Sequence, residues 1–288
     1  MRILVTGAAG QLGTDLVGVA SREAHREVLS AAHKDLDVGD RDSVLGVVSS
    51  WWPDLIINAA AWTAVDACES DTDRAWRVNA LGPRHVAEAA RRVGAHLVYV
   101  STDYVFDGVA TLPYTEWDTP NPQSVYGRSK LAGELETSAG CPGATIVRTS
   151  WVCGVHGANM LKTVMRLAAS GAVMRFVDDQ RGCPTFTEDL ARMVLALGIG
   201  RVPGTFHVTN QGPVTWYEFA REVVAAAGRD PDLVEPIATD DLDPPRAAPR
   251  PRNSVLDNAA LRNSGIELLP DHHGPLERAV KVLLDLHG

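Results

Sequence analysis

The chain opens on a short apolar run, Arg2–Thr6, that ends in a glycine-rich turn. Similar β-branched runs recur at Leu55–Asn58, His96–Ser101 and Ala144–Arg148, and longer Ala- and Arg-rich stretches separate them. One of these stretches, Ala80–Val93, repeats its apolar residues near a 3.6-residue period, which predicts a helix. Strands alternating with helices predict an α/β fold with a Rossmann-like, doubly wound parallel sheet. The continuous run LIINAAA suits a strand buried on both faces. After about residue 150 the pattern changes. Helices are predicted at Asn159–Ala169, Glu188–Leu197, Trp216–Ala227 and Leu276–Leu286, and TFHVTN at 205–210 reads as one more strand. The predicted division is a dinucleotide-binding domain over 1–150 and a smaller, mainly substrate-binding region over 151–288. The strand near 205–210 is expected to return to the first sheet. The proline-rich, charged stretch Asp241–Arg252 reads as a long loop of the kind that carries function or moves.

Composition changes this picture little. The 288 residues are 45% hydrophobic and 22% charged, ordinary for a folded domain. A net charge of -9 without a basic run argues against nucleic acid and acidic membranes as partners, but not against a small anion held in a local site. The four cysteines, Cys68, Cys141, Cys153 and Cys183, form no C-x-x-C pair, so reduced, packing cysteines in a cytoplasmic protein are expected. No secretory leader pattern and no stretch of membrane-spanning length is seen.

Candidate chemistry begins at TGAAGQLG. Gly7, Gly10 and Gly13 follow a predicted strand and precede a predicted helix, Gln11–Val19. Such a turn lets backbone approach a phosphate while the helix start supplies free N–H groups and a positive dipole end. The second strand, expected to end near Val28–Ala32, is followed by His33 and Lys34 where an NAD enzyme often has an acid. These two could accept a 2′-phosphate, favouring NADPH over NADH, or could be solvated loop residues; both readings stand. Asp37 and Val38 could bracket an adenine.

Tyr126 and Lys130 are four residues apart in YGRSK, on one face of a helix. The Lys130 ammonium would lower the Tyr126 pKa and ready the phenol for proton transfer to a carbonyl oxygen. Only four lysines occur in the chain, which makes a chance pairing less frequent. Thr102 lies at the end of the strand HLVYVS, where open parallel sheets bind ligands, and its hydroxyl could donate to the substrate oxygen.

These motifs, with DLDVGD, INAAAWTAVDACE, VNALGPRHVAEAA, STDYVFDG, VYGRSKLAGE, RTSWVCG, DDQRGCPT and RPRNSVLDN, resemble the extended short-chain dehydrogenase/reductase family over nearly the whole chain. STDYVF with RTSW and DDQxGxPT resembles, more narrowly, its dTDP-4-dehydrorhamnose reductases. The resemblance implies NADPH- or NADH-dependent reduction of the 4-keto group of a dTDP-6-deoxy-4-keto-hexose, giving dTDP-L-rhamnose. It implies that Gly7, Gly10, Gln11 and Leu12 wrap the pyrophosphate and that Asp37 and Val38 flank adenine. It also implies that Ala59, Ala60, Ala61 and Thr63 line the cofactor cleft. Tyr126 and Lys130 would also hold the nicotinamide ribose, and Thr102, Asp103, Tyr104 and Trp151 would face the sugar. The C-terminal portion would cover the nucleotide half of the substrate, and a homodimer is allowed. Cys153 departs from the aromatic residue the pattern carries. Relatives can bind magnesium at an acidic interface, but no acidic motif here specifies such a site, and no metal is predicted.

Alternatives stay open at this point. Trp151 and Tyr104 could be plain packing residues, though the site reading is favoured, and Arg250 and Arg252 are undecided. The chain could be another sugar-nucleotide enzyme of the same fold, an epimerase or 4,6-dehydratase, or a non-catalytic regulatory subunit. The intact Thr102, Tyr126 and Lys130 weigh against the last. A dehydratase of this fold carries an Asp-Glu pair after its Thr; here Asp103 is followed by Tyr104.

Overall fold

A computed structural model describes residues 1–286. The strands in chain order are β1 Arg2–Thr6, β2 Glu27–Ala31, β3 Leu55–Asn58, β4 His96–Thr102, β5 Thr145–Thr149, β6 Val152–Cys153, β7 Met174–Val177, β8 Arg181–Gly182, β9 Thr185–Phe186, β10 Gly204–His207, β11 Val214–Thr215 and β12 Val234–Ile237. The helices are α1 Gln11–Ala20, α2 Arg41–Trp51, α3 Val65–Ser70, α4 Thr72–Trp76, α5 Gly82–Val93, α6 Val125–Gly140, α7 Met160–Ala169, α8 Thr187–Ile199, α9 Trp216–Ala226, α10 Ala259–Asn263 and α11 His273–Asp285.

Six strands form one all-parallel sheet in the order β10-β5-β4-β3-β1-β2. The chain leaves β1 for β2 on one side, then returns for β3 on the other. That reversal opens a crevice at the carboxyl ends of β1 and β3, where doubly wound sheets take ligands. Apolar side chains cover both faces. Leu16, Leu190, Val194 and Phe206 pack on one side with Ile3, Val5 and Ile57; Val44, Val48, Val86 and Ala90 pack on the other with Leu4, Ile56 and Leu97. The strand read at 205–210 is β10, hydrogen-bonded along β5 as the sheet's edge.

Residues outside the sheet build a second core. Leu161, Val164, Phe219, Val223, Leu276 and Val280 bring α7, α9 and α11 together over the parallel pair β7–β12. Those short strands escape the periodicity because each has only four residues or fewer. The predicted single helix over Ala80–Val93 is instead a π turn, Arg77–Leu81, running into α5. A wide turn of this kind often marks a functional position. Here it carries Asn79, which is fully buried. Asn79 Oδ1 accepts from Trp62 N at 2.8 Å, and its Nδ2 donates to Trp62 O at 3.0 Å and Ser129 Oγ at 3.1 Å. One side chain thereby fastens the loop after β3 to α6.

Candidate active site

Two connected cavities follow the crevice. One of about 410 Å³ runs from the glycine turn past β2, and one of about 550 Å³ runs from the same turn to the end of β5. Both are lined by Gly7, Gly10, Ala59 and Ala61, so the turn is their common wall.

The turn depends on its missing side chains. Gly7 has φ +67, and a Cβ there would stand 2.8 Å from the Ala60 backbone. A Cβ on Gly13 would stand 2.2 Å from Gly7 O. The first helical N–H groups of α1 have no side-chain cap, since its N-cap is Gly10. Bare N–H groups at a helix start, reached through backbone that approaches closely, fit a pyrophosphate. Leu12, Gly13, Ala60 and Thr63 also line these cavities. Gln11 does too, but its Oε1 is taken by Asn159 Nδ2 at 2.9 Å, which ties α1 to the cap of α7.

The outer cavity brings Asp37 and Val38 together with His33, Arg74 and Arg77. Lys34 does not line it. Arg77 Nη1 holds Asp37 Oδ2 at 2.9 Å, and Asp37 is drawn below the ordinary carboxylate range against the opposing effect of its partial burial. The cation opposite Asp37 therefore comes from the π turn, forty residues on in the chain. Local reading around β2 had no signal for it. Arg74 lies over the Trp62 ring at 4.6 Å.

In the inner cavity Thr102, Asp103, Tyr104, Tyr126, Lys130 and Trp151 all meet. Thr102 ends β4 and is buried, as are Asp103, Tyr126 and Lys130. Helix α6 is started by Ser124, whose Oγ accepts from Gly127 N at 3.0 Å, and by Glu69, which accepts from Val125 N at 2.7 Å. It sits close on the turn after β4: a Cβ on Gly127 would stand 2.2 Å from Tyr104 O. Tyr126 then meets Tyr104 edge-on, with ring centroids 5.4 Å apart.

One detail differs from the sequence expectation, and two go beyond it. First, burial pushes the Tyr126 phenol well above its ordinary pKa, and the nearby Thr102 hydroxyl opposes this only in part. Lys130 does not pull it down. Its Nζ donates to Val100 O at 2.7 Å and lies 4.2 Å above the Tyr99 ring, and burial lowers its own pKa to about 7, with Glu134 opposing. For side chains buried this deeply, desolvation outweighs the i,i+4 pairing. The phenol is thus held as a proton donor, which suits reduction. Second, Thr102 Oγ1 donates to Asp103 Oδ1 at 2.9 Å, so offering its proton to a substrate oxygen takes a turn of the hydroxyl hydrogen away from Asp103. Third, Asp103 lines the inner cavity as a deeply buried acid. Its burial raises its pKa to about 6, with Ser254 and Thr102 opposing, and its Oδ2 has no partner.

Trp151 has φ +46, unusual for a bulky side chain, and stacks on Trp216 with centroids 3.5 Å apart and planes 4° apart. Trp216, at the start of α9, joins the same cavity. It read only as a helix residue in the sequence. Backbone strain in a bulky residue is kept where the surroundings enforce it, often beside a ligand. Cys153 lies in the second core with its thiol pushed up by burial alone, which is the state of a packing cysteine. All four cysteines are free.

The Asp241–Arg252 stretch is a loop apart from its first residue, which ends a 3-10 turn, Thr239–Asp241. The loop is latched to α3. Ala248 N donates to Asp66 Oδ1 at 3.0 Å, and Arg250 Nη2 holds Asp66 Oδ2 at 2.7 Å. Arg250 is mostly covered, whereas Arg252 is exposed and lines a third cavity with Arg181 and Arg250.

Among the described residues no helix is long and apolar enough to cross a membrane. A family model described as the RmlD substrate binding domain matches residues 1–284. A dTDP-4-dehydrorhamnose reductase of Streptomyces griseus is 42% identical over 293 aligned positions, covering 100% of this chain and 95% of that protein. The crystal structure of a dTDP-4-dehydrorhamnose reductase of Clostridium acetobutylicum superposes with a TM-score of 0.94 at 41% identity, covering 99% and 100% of the two chains. The enzyme of that name from Bacillus anthracis, solved in complex with NADP, has a TM-score of 0.92 at 38% identity, covering 96% and 98%.

Proposed function

The chain belongs to the RmlD substrate-binding-domain family, and on that premise we propose that it reduces the 4-keto group of a dTDP-6-deoxy-4-keto-hexose with NADPH or NADH, forming dTDP-L-rhamnose. The observation that carries this reading is the inner cavity, where Thr102, Tyr126 and Lys130 share walls with the glycine turn. The nicotinamide cofactor, when bound, supplies the hydride. Gly7, Gly10, Gly13 and the bare start of α1 would hold its pyrophosphate, and the pocket of Asp37, Val38 and Arg77 its adenosine half.

The protein's own residues supply the rest. Tyr126, kept neutral by burial, delivers a proton to the carbonyl oxygen as it becomes an alkoxide. Thr102 fixes that oxygen with a second hydrogen bond once it turns from Asp103. Lys130, anchored on Val100 O, would with Tyr126 hold the nicotinamide ribose. Trp151 and Tyr104 offer aromatic surface to the sugar's apolar face, and the region after residue 150 covers its nucleotide half. A cytoplasmic setting and a homodimer complete the reading.

The same residues argue against a dehydratase. Expelling the C6 hydroxyl needs an acid and a base beside Thr102. Tyr104 stands where the second carboxylate would be, and burial raises its phenol further, so it is no base at neutral pH. The test supplies NADPH and the 4-keto-6-deoxy dTDP sugar with the epimerase that precedes reduction. Loss of NADPH absorbance and formation of dTDP-L-rhamnose are expected. No turnover, or efficient conversion of dTDP-glucose to a 4-keto product with oxidised cofactor, overturns the assignment.

A further inference from the structure

Away from the cleft, a side chain of α9 meets two neighbouring histidines fifty residues further on, where α11 begins. Glu222 lies on α9, and His272 and His273 stand at the cap and first residue of α11. His272 Nε2 is 2.7 Å from Glu222 Oε2, and His273 Nε2 is 3.4 Å from Glu222 Oε1. The ligand-capable atoms of all three lie within 4.8 Å of one another.

The opposite ring nitrogens are also committed. His272 Nδ1 faces Gln211 O at 3.1 Å, and His273 Nδ1 faces Asp271 Oδ1 at 2.5 Å. With each Nδ1–H given to an oxygen, both Nε2 atoms face the same carboxylate: His272 Nε2–H donates to Glu222 Oε2, and a metal ion taking the place of that proton would meet the lone pair. An imidazole held by a carbonyl or a carboxylate on its far side is the arrangement that orients histidine toward a metal and raises its basicity. His272 is fully enclosed, its side chain 0% exposed and its ring edge-on to Phe219, so one ligand is rigidly placed. His273 and Glu222 are partly open to solvent, at 59% and 25%, so they can adjust and a water can complete the set.

We propose that Glu222, His272 and His273 form a binding site for one divalent transition-metal ion, with zinc as the best fit. Two imidazoles and one carboxylate with an open fourth position match its donor preference. Bonds of about 2.0–2.2 Å in a tetrahedral arrangement put neighbouring ligand atoms about 3.3 Å apart. His272 Nε2 lies 2.7 Å from Glu222 Oε2 and His273 Nε2 3.4 Å from Glu222 Oε1, so a turn of the carboxylate that brings one oxygen toward both rings, with a small opening of the His272 contact as the ion takes the place of its proton, gives this spacing. The site lies between the last helix and α9, whose first residue is Trp216. A bound ion therefore clips the C-terminal helix onto the element that carries one wall of the cleft.

The experiment uses tag-free, chelator-stripped protein in equilibrium dialysis against Zn(II), with metal analysis, a Co(II) absorption spectrum and thermal melts. One zinc per chain, visible Co(II) bands of a low-coordinate nitrogen and oxygen site, and a rise in Tm on adding zinc are expected. His273→Ala and Glu222→Gln each weaken binding at least tenfold and abolish the Tm rise, while circular dichroism and NADPH affinity stay as in the wild type. Asp271→Asn, which replaces the carboxylate behind His273 Nδ1 and keeps an acceptor for the His273 backbone N–H, weakens binding by about tenfold. Failure to bind zinc stoichiometrically, or binding that is undiminished in both His273→Ala and Glu222→Gln, overturns the proposal.

Discussion

Tyr126→Phe removes a single oxygen from the inner cavity and leaves the ring in place. The residue is 7% exposed and packs edge-on against Tyr104, so the packing contact survives the change. What is lost from the ground state is the hydroxyl's interaction with Thr102, worth about 0.5–1.5 kcal/mol of stability, too little to unfold the domain. In the transition state the loss is larger. The alkoxide developing at the sugar's C4 has no comparable proton donor, because Lys130 is anchored on Val100 O, Asp103 with its pKa at about 6 is mostly ionised at neutral pH, and Thr102 has only a hydroxyl of very high pKa. General acid catalysis is worth about 10²–10⁴-fold, or about 3–5 kcal/mol of barrier. The expected outcome is a fall of that size in the single-turnover rate of NADPH oxidation with the 4-keto dTDP sugar. NADPH affinity, read from nucleotide fluorescence, should change by less than about threefold. A variant that turns over within about threefold of wild type, under conditions limited by chemistry, refutes the role of the phenol.

Three further outcomes are expected. Glu134→Gln leaves buried Arg148 without its bidentate partner, now held at 2.9 and 2.7 Å, and should cost about 3 kcal/mol in urea denaturation; a loss below about 1 kcal/mol contradicts this. Steady-state comparison should show use of both nicotinamide cofactors with a modest preference for NADPH, and Arg77→Ala should narrow or reverse it, because the change removes a cation and frees the Asp37 carboxylate; an unchanged ratio speaks against Arg77 at the 2′-phosphate. Asp66→Asn should speed protease nicking within Asp241–Arg252 several-fold, and dTDP should slow nicking in the wild type; equal nicking in all four conditions rules out the latch.

The parallel sheet was legible because its strands are apolar on both faces and its helices repeat with their own period. The glycine turn was legible because a strand, three glycines and a helix stood in sequence. Thr102, Tyr126 and Lys130 were legible by type and spacing, but their electrostatics were not. Spacing puts an ammonium one helical turn from a phenol, whereas only packing shows that both are cut off from water and that the lysine has a carbonyl partner. Arg77, Asn79 and Trp216 escaped for another reason. Each acts from an element distant in the chain: Arg77 lines the crevice and Asn79 braces its wall from a π turn that reads as plain helix, and Trp216 lines it from a helix start with an ordinary capping box. Arg250 gave no local signal because its role depends on Asp66, 184 positions away.

Helix α6 connects the chemistry to the stability of the fold. Tyr126, Lys130 and Glu134 follow one another at four-residue steps, so one face of the helix carries all three. Tyr126 enters the cavity, Lys130 reaches the β4 backbone, and Glu134 accepts from Ser101 Oγ on β4 at 2.5 Å while clasping Arg148 on β5. The adjacent Ser129 meets Asn79, which holds the loop of Ala59–Thr63 through Trp62. The proton donor is therefore positioned by two buried polar anchors, one to the strands that end at Thr102 and Thr149, the other to the wall of the cofactor cleft. Buried polar contacts of this kind contribute little net stability compared with apolar packing, but they allow only one register of helix on sheet. A shift of α6 by one residue would turn Tyr126 out of the cavity and leave Glu134 and Arg148 buried and unpaired, so the energy that penalises misfolding also keeps the phenol aimed at the substrate carbonyl.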